Sequence, residues 1–142
     1  MRILIDTCII IDALQNREPF NKNAQQLFLL AANRKFDGFI SAKSVTDIYY
    51  LTHRVTHSDK NTRDILSRIF KLFDLTDTAG TDCKYALSSE VSDYEDAVMI
   101  ETAIRTQMDG IVTRNEKDYS KSSIPILSPE TLINKINEED ND

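Results

Sequence analysis

The stretch Arg2-Ile3-Leu4-Ile5-Asp6 decides how the chain is read. A short apolar run closed by a carboxylate reads as a buried strand that ends at the edge of a sheet. Asp6 cannot lie inside that run without stranding a charge away from water, so it marks the strand's carboxyl end. The same residue interrupts the apolar core that a signal peptide would need, and no export is expected. Asp6 and Asp12 also break the longest apolar stretch well short of the roughly 18 residues that a membrane span requires. The expectation is a cytoplasmic protein with no membrane partner.

Outward from this strand, helical and extended patterns alternate. Ile9 to Leu14 reads as a short helix. Asn21 or Asn23 can cap a helix to about Arg34, with Ala24, Leu27, Phe28 and Ala31 at helical spacing. The pair Asp37-Gly38 reads as a turn leading into the strand Phe39-Ile40. Ser41 suits the cap of a helix through about His53, and Ser58 or Asp59 opens another whose apolar side is Ile65, Ile69, Leu72 and Phe73. A strand is expected over Phe73 to Thr76, a helix from Thr81 or Asp82 to Leu87, and a helix after Ser92 or Asp93. Gly110 to Thr113 and Ile124 to Leu127 read as two further strands. Pro125 cannot donate to a ladder, which assigns the last strand to a sheet edge. Ser128-Pro129-Glu130 then opens the final helix. Such alternation implies an α/β fold: a largely parallel, five-stranded sheet in a three-layer α/β/α sandwich.

The 142 residues suit one domain, expected over 1–137, with Glu138 to Asp142 as an acidic, frayed tail. The net charge of −6 argues against coating nucleic acid by bulk attraction. Charge is nevertheless uneven. Residues 34–71 hold eight basic and four acidic side chains, and the remainder of the chain is correspondingly acidic. Cys8 and Cys83 form no disulfide framework and lack metal-ligand spacing. His53 and His57 stand four apart with no third ligand near in sequence, so solvated helix positions are expected.

Parallel sheets bind ligands at the carboxyl ends of their strands, which selects the polar residues to consider. Asp6 follows the first strand and Asn115 follows the fourth. Asp93 and Asp96 lie one helical turn apart, and Asp47 lies on the helix after the second strand. Converging carboxylates repel unless a cation neutralises them, and Mg²⁺ or Mn²⁺ suits oxygen donors. Taken singly, Asp93 also reads as a helix cap and Asp47 as a surface residue.

These segments resemble the PIN domain nucleases, including the VapC-type toxins. The resemblance is carried by Ile3-Leu4-Ile5-Asp6-Thr7-Cys8, Ser41-Ala42-Lys43-Ser44-Val45-Thr46-Asp47, Asp93-Tyr94-Glu95-Asp96-Ala97, Ile111 to Tyr119 and Ile126-Leu127-Ser128-Pro129-Glu130, in the family's order. It implies a metal-dependent ribonuclease in which Asp6, Asp47 and Asp96 hold Mg²⁺ or Mn²⁺ with Asp93 and Asn115 in support. Asp47 stands where the family most often has Glu, and Asn115 where many members have a fourth Asp. Asp118 is a candidate substitute, and Thr7 and Thr113 are candidates to orient water. The resemblance further implies in-line attack by water giving a 5′ phosphate and a 3′ hydroxyl, an RNA substrate, a cognate antitoxin and a homodimer. Arg114 and Lys43 are candidate phosphate contacts. The alternative is a PIN-like domain of weakened catalysis that acts as an RNA-binding or protein-interaction module. An aspartyl phosphatase would want a second Asp where Cys8 stands, and a receiver domain would want an acidic pair before its first helix.

Overall fold

The computed structural model describes residues 1–142, apart from the side chain of Asp118. Five strands form one sheet: β1 (Arg2–Ile5), β2 (Asp37–Ser41), β3 (Asp74–Thr76), β4 (Gly110–Val112) and β5 (Ile126–Leu127). Their order across the sheet is β3-β2-β1-β4-β5 and every pairing is parallel. β1 is central, with Leu4 in register with both Phe39 and Ile111. Alternation along β1 sends Ile3 and Ile5 to one face and Leu4 to the other. Ile3 and Ile5 join a core with helices α1 (Thr7–Leu14), α2 (Asn21–Ala32), α3 (Ala42–Thr56), α4 (Asp59–Leu72) and α7 (Pro129–Asp140). Leu4 joins Ile111, Met99, Ile100, Ala103 and Tyr119 under α6 (Tyr94–Arg105), against which α5 (Gly80–Ala86) packs. This is the three-layer α/β/α arrangement expected from the pattern. β5 lies at an edge, as expected, but it begins only after Pro125, whose carbonyl still accepts from Ile111 N–H at 3.0 Å.

Several local expectations are corrected. Asp37-Gly38 is no turn, because both residues pair with β1 in register. Glycine is needed at 38 for close packing: a Cβ there would lie 2.6 Å from Phe73 Cδ1 and 3.0 Å from Ile5 Cδ1. α2 is preceded by Phe20, not capped by an asparagine, and Asn21 Nδ2 donates instead to Asn16 Oδ1 at 2.7 Å. Ser41 stands at the cap position of α3, but its hydroxyl bonds Ser44 Oγ at 2.9 Å in place of a helix N–H. The inward face of α4 is Thr62, Leu66 and Ile69, with Ile65 and Leu72 only partly covered. The acidic tail does not fray at residue 138: α7 runs through Asp140, whose carboxylate pairs with Lys35 Nζ at 3.3 Å. Ser58, Asp93 and Ser128 cap their helices as expected, each accepting a backbone N–H.

Two ion pairs, each formed on a buried carboxylate by a partly exposed arginine, tie separate elements. Asp12 is fully buried in α1 and receives Arg114 Nε at 2.7 Å from the segment after β4. Asp82 is buried in α5 and receives Arg105 from α6 at 2.9 Å, together with the Thr102 hydroxyl.

Candidate active site

The chain leaves β1 toward β2 and leaves β4 toward β5, so the two connections diverge. Parallel sheets place their ligands in the crevice at such a switch point, here the carboxyl ends of β1 and β4. Asp6 and Thr113 meet there, in direct side-chain contact. The backbone holds both in place: Asp6 N–H donates to the Val112 carbonyl and Thr113 N–H to the Leu127 carbonyl, each at 3.0 Å. The Thr113 hydroxyl donates to Asp6 Oδ2 at 2.8 Å and accepts Asn115 N–H at 3.1 Å.

A second donor reaches the same oxygen. The Tyr119 hydroxyl lies 3.3 Å from Asp6 Oδ2, brought there by the 3₁₀ turn Glu116–Tyr119. The same hydroxyl is hydrogen-bonded with Asp96, in the first turn of α6. Two carboxylates remote from each other in sequence therefore meet at one phenol. Tyr119 is only 2% exposed. Burial first, then the charges of Asp6 and Asp96, raises its ionisation far above the ordinary phenol value, so it remains a neutral donor. Among the described residues, both side-chain hydrogen bonds that Asp6 accepts fall on Oδ2 and none on Oδ1.

The other expected site residues surround this centre. Asp93 is the N-cap of α6, and its Oδ1 accepts Asp96 N–H at 3.0 Å. Its cap orients the turn that carries Asp96. Ser41 and Ser44 at the start of α3 lie against Met99 Sδ of α6, at 3.4 and 4.0 Å, which docks these two elements. Lys43 Nζ reaches Glu95 Oε1 at 2.8 Å. Asp47, one helical turn after Lys43, is exposed on the same side of α3. Asn115 is exposed and touches Thr113 through its backbone. Asp118 lies outside the described side chains. Among the described residues no three Asp, Glu, His or Cys side chains are gathered closely enough to form a metal-binding group. Asp6 and Asp96 are thus drawn together, while Asp47 and Asn115 stand at the periphery.

The two basic residues expected to meet phosphate are already engaged. Arg114 is bound to buried Asp12 and lies over the Phe20 ring, 4.4 Å from its centroid, and Lys43 is paired with Glu95. His53 stacks on Tyr49 with ring centroids 5.7 Å apart, an ordinary helix contact. Sequence reasoning missed Tyr119 and Asp12. A usable signal existed for Asp12, an acid between Ile9-Ile10-Ile11 and Ala13. None existed for Tyr119, which is distant in sequence from both of its acids.

The donors at the crevice suit a hard cation. They are carboxylate, hydroxyl and amide oxygens. The neighbouring thiol, Cys8 Sγ, lies 3.8 Å from Thr113 Oγ1. Burial, reinforced by the charge of Asp6, pushes that thiol up to about 11, so it is protonated and a poor metal ligand at neutral pH.

A sequence model of the PIN domain matches residues 2–117. Solved structures of the same fold include the DNA-bound VapBC complex of Salmonella typhimurium, at 16% identity and a TM-score of 0.66, covering 91% of this chain and 98% of that one. FitAcB of Neisseria gonorrhoeae matches at 19% identity and a TM-score of 0.65, covering 90% and 98%. A toxin–antitoxin complex from Klebsiella pneumoniae matches at 25% identity and a TM-score of 0.62, covering 89% and 97%. Among curated proteins, none matches the chain by sequence comparison.

Proposed function

Because the chain belongs to the PIN domain family, we propose that it is a Mg²⁺- or Mn²⁺-dependent ribonuclease and the toxin of a toxin–antitoxin pair. The observation that carries this reading is the meeting of Asp6 and Asp96 at the Tyr119 hydroxyl, in the crevice between β1 and β4. Two acids drawn together, with a third exposed on α3 at their periphery, have a use when a cation and a phosphodiester share the space with them. Asp6 and Asp96 would hold the ion, with Asp47 completing the set from α3 and Asn115 offering a neutral oxygen. Asp93 supports Asp96 through the helix cap. When bound, the ion supplies Lewis acidity, acidifying water and polarising the scissile phosphate.

The chain's own residues do the rest. Thr113 and Tyr119 hold Asp6 Oδ2, which leaves Oδ1 for the ion. Arg114, locked by Asp12, fixes the backbone on which Thr113 and Asn115 stand. Asp6 and Asp96 offer the ion carboxylate oxygens, the donors a hard cation takes. RNA is the proposed substrate. A cognate antitoxin is the proposed partner, supported by the Klebsiella pneumoniae toxin–antitoxin complex of the same fold. A homodimer and a cytoplasmic setting belong to the same proposal; no described helix is long and apolar enough to cross a membrane.

The test is cleavage of a mixed RNA pool by the purified protein in Mn²⁺ or Mg²⁺ against EDTA, alongside Asp96→Asn. Cation-dependent cutting that falls at least 100-fold in the variant is expected. Equal cutting by the two proteins would sink the reading. A second reading, a PIN domain serving as an RNA-binding or protein-interaction module, is favoured by Asn115 in place of an acid. It predicts RNA retention without cutting in every cation.

A further inference from the structure

We propose that Tyr119 is a positioning residue of the cation site: its hydroxyl, shared between Asp6 and Asp96, sets the two carboxylates as a pair and keeps Asp6 Oδ1 for the ion. This rests on the nuclease reading above.

The geometry argues for it in three steps. First, the ring cannot swing away. Tyr119 is 2% exposed and packs in the cluster of Leu4, Met99, Ile100 and Ile111 beneath α6. Second, a phenol carries one proton, and two carboxylates accept here. A shared proton makes a long contact, and the Tyr119 distance to Asp6 Oδ2 is 3.3 Å where the undivided Thr113 bond is 2.8 Å. The hydroxyl therefore couples the orientation of a strand-end acid to that of a helix-start acid. Third, Thr113, just past β4, and Tyr119, in the 3₁₀ turn six residues on, donate to the same oxygen of Asp6. Donors placed this way fix the carboxylate rotamer and leave its other oxygen to the ion. Partners that orient a metal ligand in this manner are typically worth about 10–100-fold in metal affinity.

The same ring could instead serve packing alone, and one substitution separates the two roles. Tyr119→Phe removes one oxygen and keeps the ring that fills the cluster, so the fold is retained. The experiment is a calorimetric titration of the full chain with Mn²⁺ at constant pH, on the natural protein, Y119F, Asp6→Asn and Met99→Leu, each also melted in EDTA. Met99→Leu repacks the same cluster and leaves the hydroxyl in place. Expected are binding by the natural protein, none by Asp6→Asn, affinity about tenfold or more weaker in Y119F, and unchanged affinity with a shifted melting temperature in Met99→Leu. Binding by Y119F as tight as by the natural protein would overturn the proposal and leave the nuclease reading standing. Equal weakening in Y119F and Met99→Leu would assign the effect to packing and overturn it as well. Absence of binding by the natural protein would overturn both.

Discussion

Cys8 and Cys83 are two thiols in opposite surroundings, one half-buried beside the crevice and one exposed on α5. A Cys8 thiol pushed up to about 11 is ionised to only about one part in a thousand at pH 8, and the thiolate is the reactive form. Iodoacetamide at pH 8 should therefore modify Cys83 first, with Cys8 following only in denaturant; peptide mass mapping over time reads the order. Equal rates would show that the charge of Asp6 and the burial around Cys8 do not act as described. At the same scale lie the site acids themselves. Asp6 was legible because an acid after three buried aliphatics has one place to go. Tyr119 was not, since nothing local distinguishes a phenol that meets two acids from one that fills a core.

At the scale of elements, α6 carries the clearest division of labour. Asp93 caps the helix through Asp96 N–H, so its carboxylate stabilises the very turn that presents Asp96. Asp93→Ala should cost about 1 kcal/mol, and Asp93→Ser, which keeps an acceptor at the cap, should restore most of it. Urea denaturation of both variants in EDTA measures this. Failure of serine to restore stability would mean that the carboxylate has a use beyond the cap. Three caps, at Ser58, Asp93 and Ser128, were legible because capping is local chemistry. Ser41 misled, because Ser44 and Met99 offer its hydroxyl partners that only the packing of α3 on α6 supplies.

At the scale of the molecule, the Asp12–Arg114 pair links the first helix to the segment beyond β4, across 102 residues of sequence. Its two ends differ: the Asp12 side chain is fully buried, while that of Arg114 is 28% exposed. Removing either partner should thus cost unequal amounts. Arg114→Met leaves an uncompensated buried carboxylate and should cost about 3–5 kcal/mol. Asp12→Ala leaves a guanidinium that can turn to water, and about 1–3 kcal/mol is expected. Urea midpoints at neutral pH give the comparison, and a larger loss in the aspartate variant would contradict this account of the pair.

The sequence by itself determined the layered α/β class, the edge position of the strand that follows Pro125 and the strand-end place of Asp6. Each follows from local rules: side-chain period, a missing backbone donor, and the cost of burying a charge. Only the tertiary structure decided which charges are spent on architecture and which remain at the crevice. Arg114 and Lys43 looked free in the sequence and are paired in the fold. Asp96 meets Asp6 through a tyrosine that no spacing foretold. The physical reason is that pairing depends on distances across the sheet, and those are set by the packing of layers that are remote in sequence.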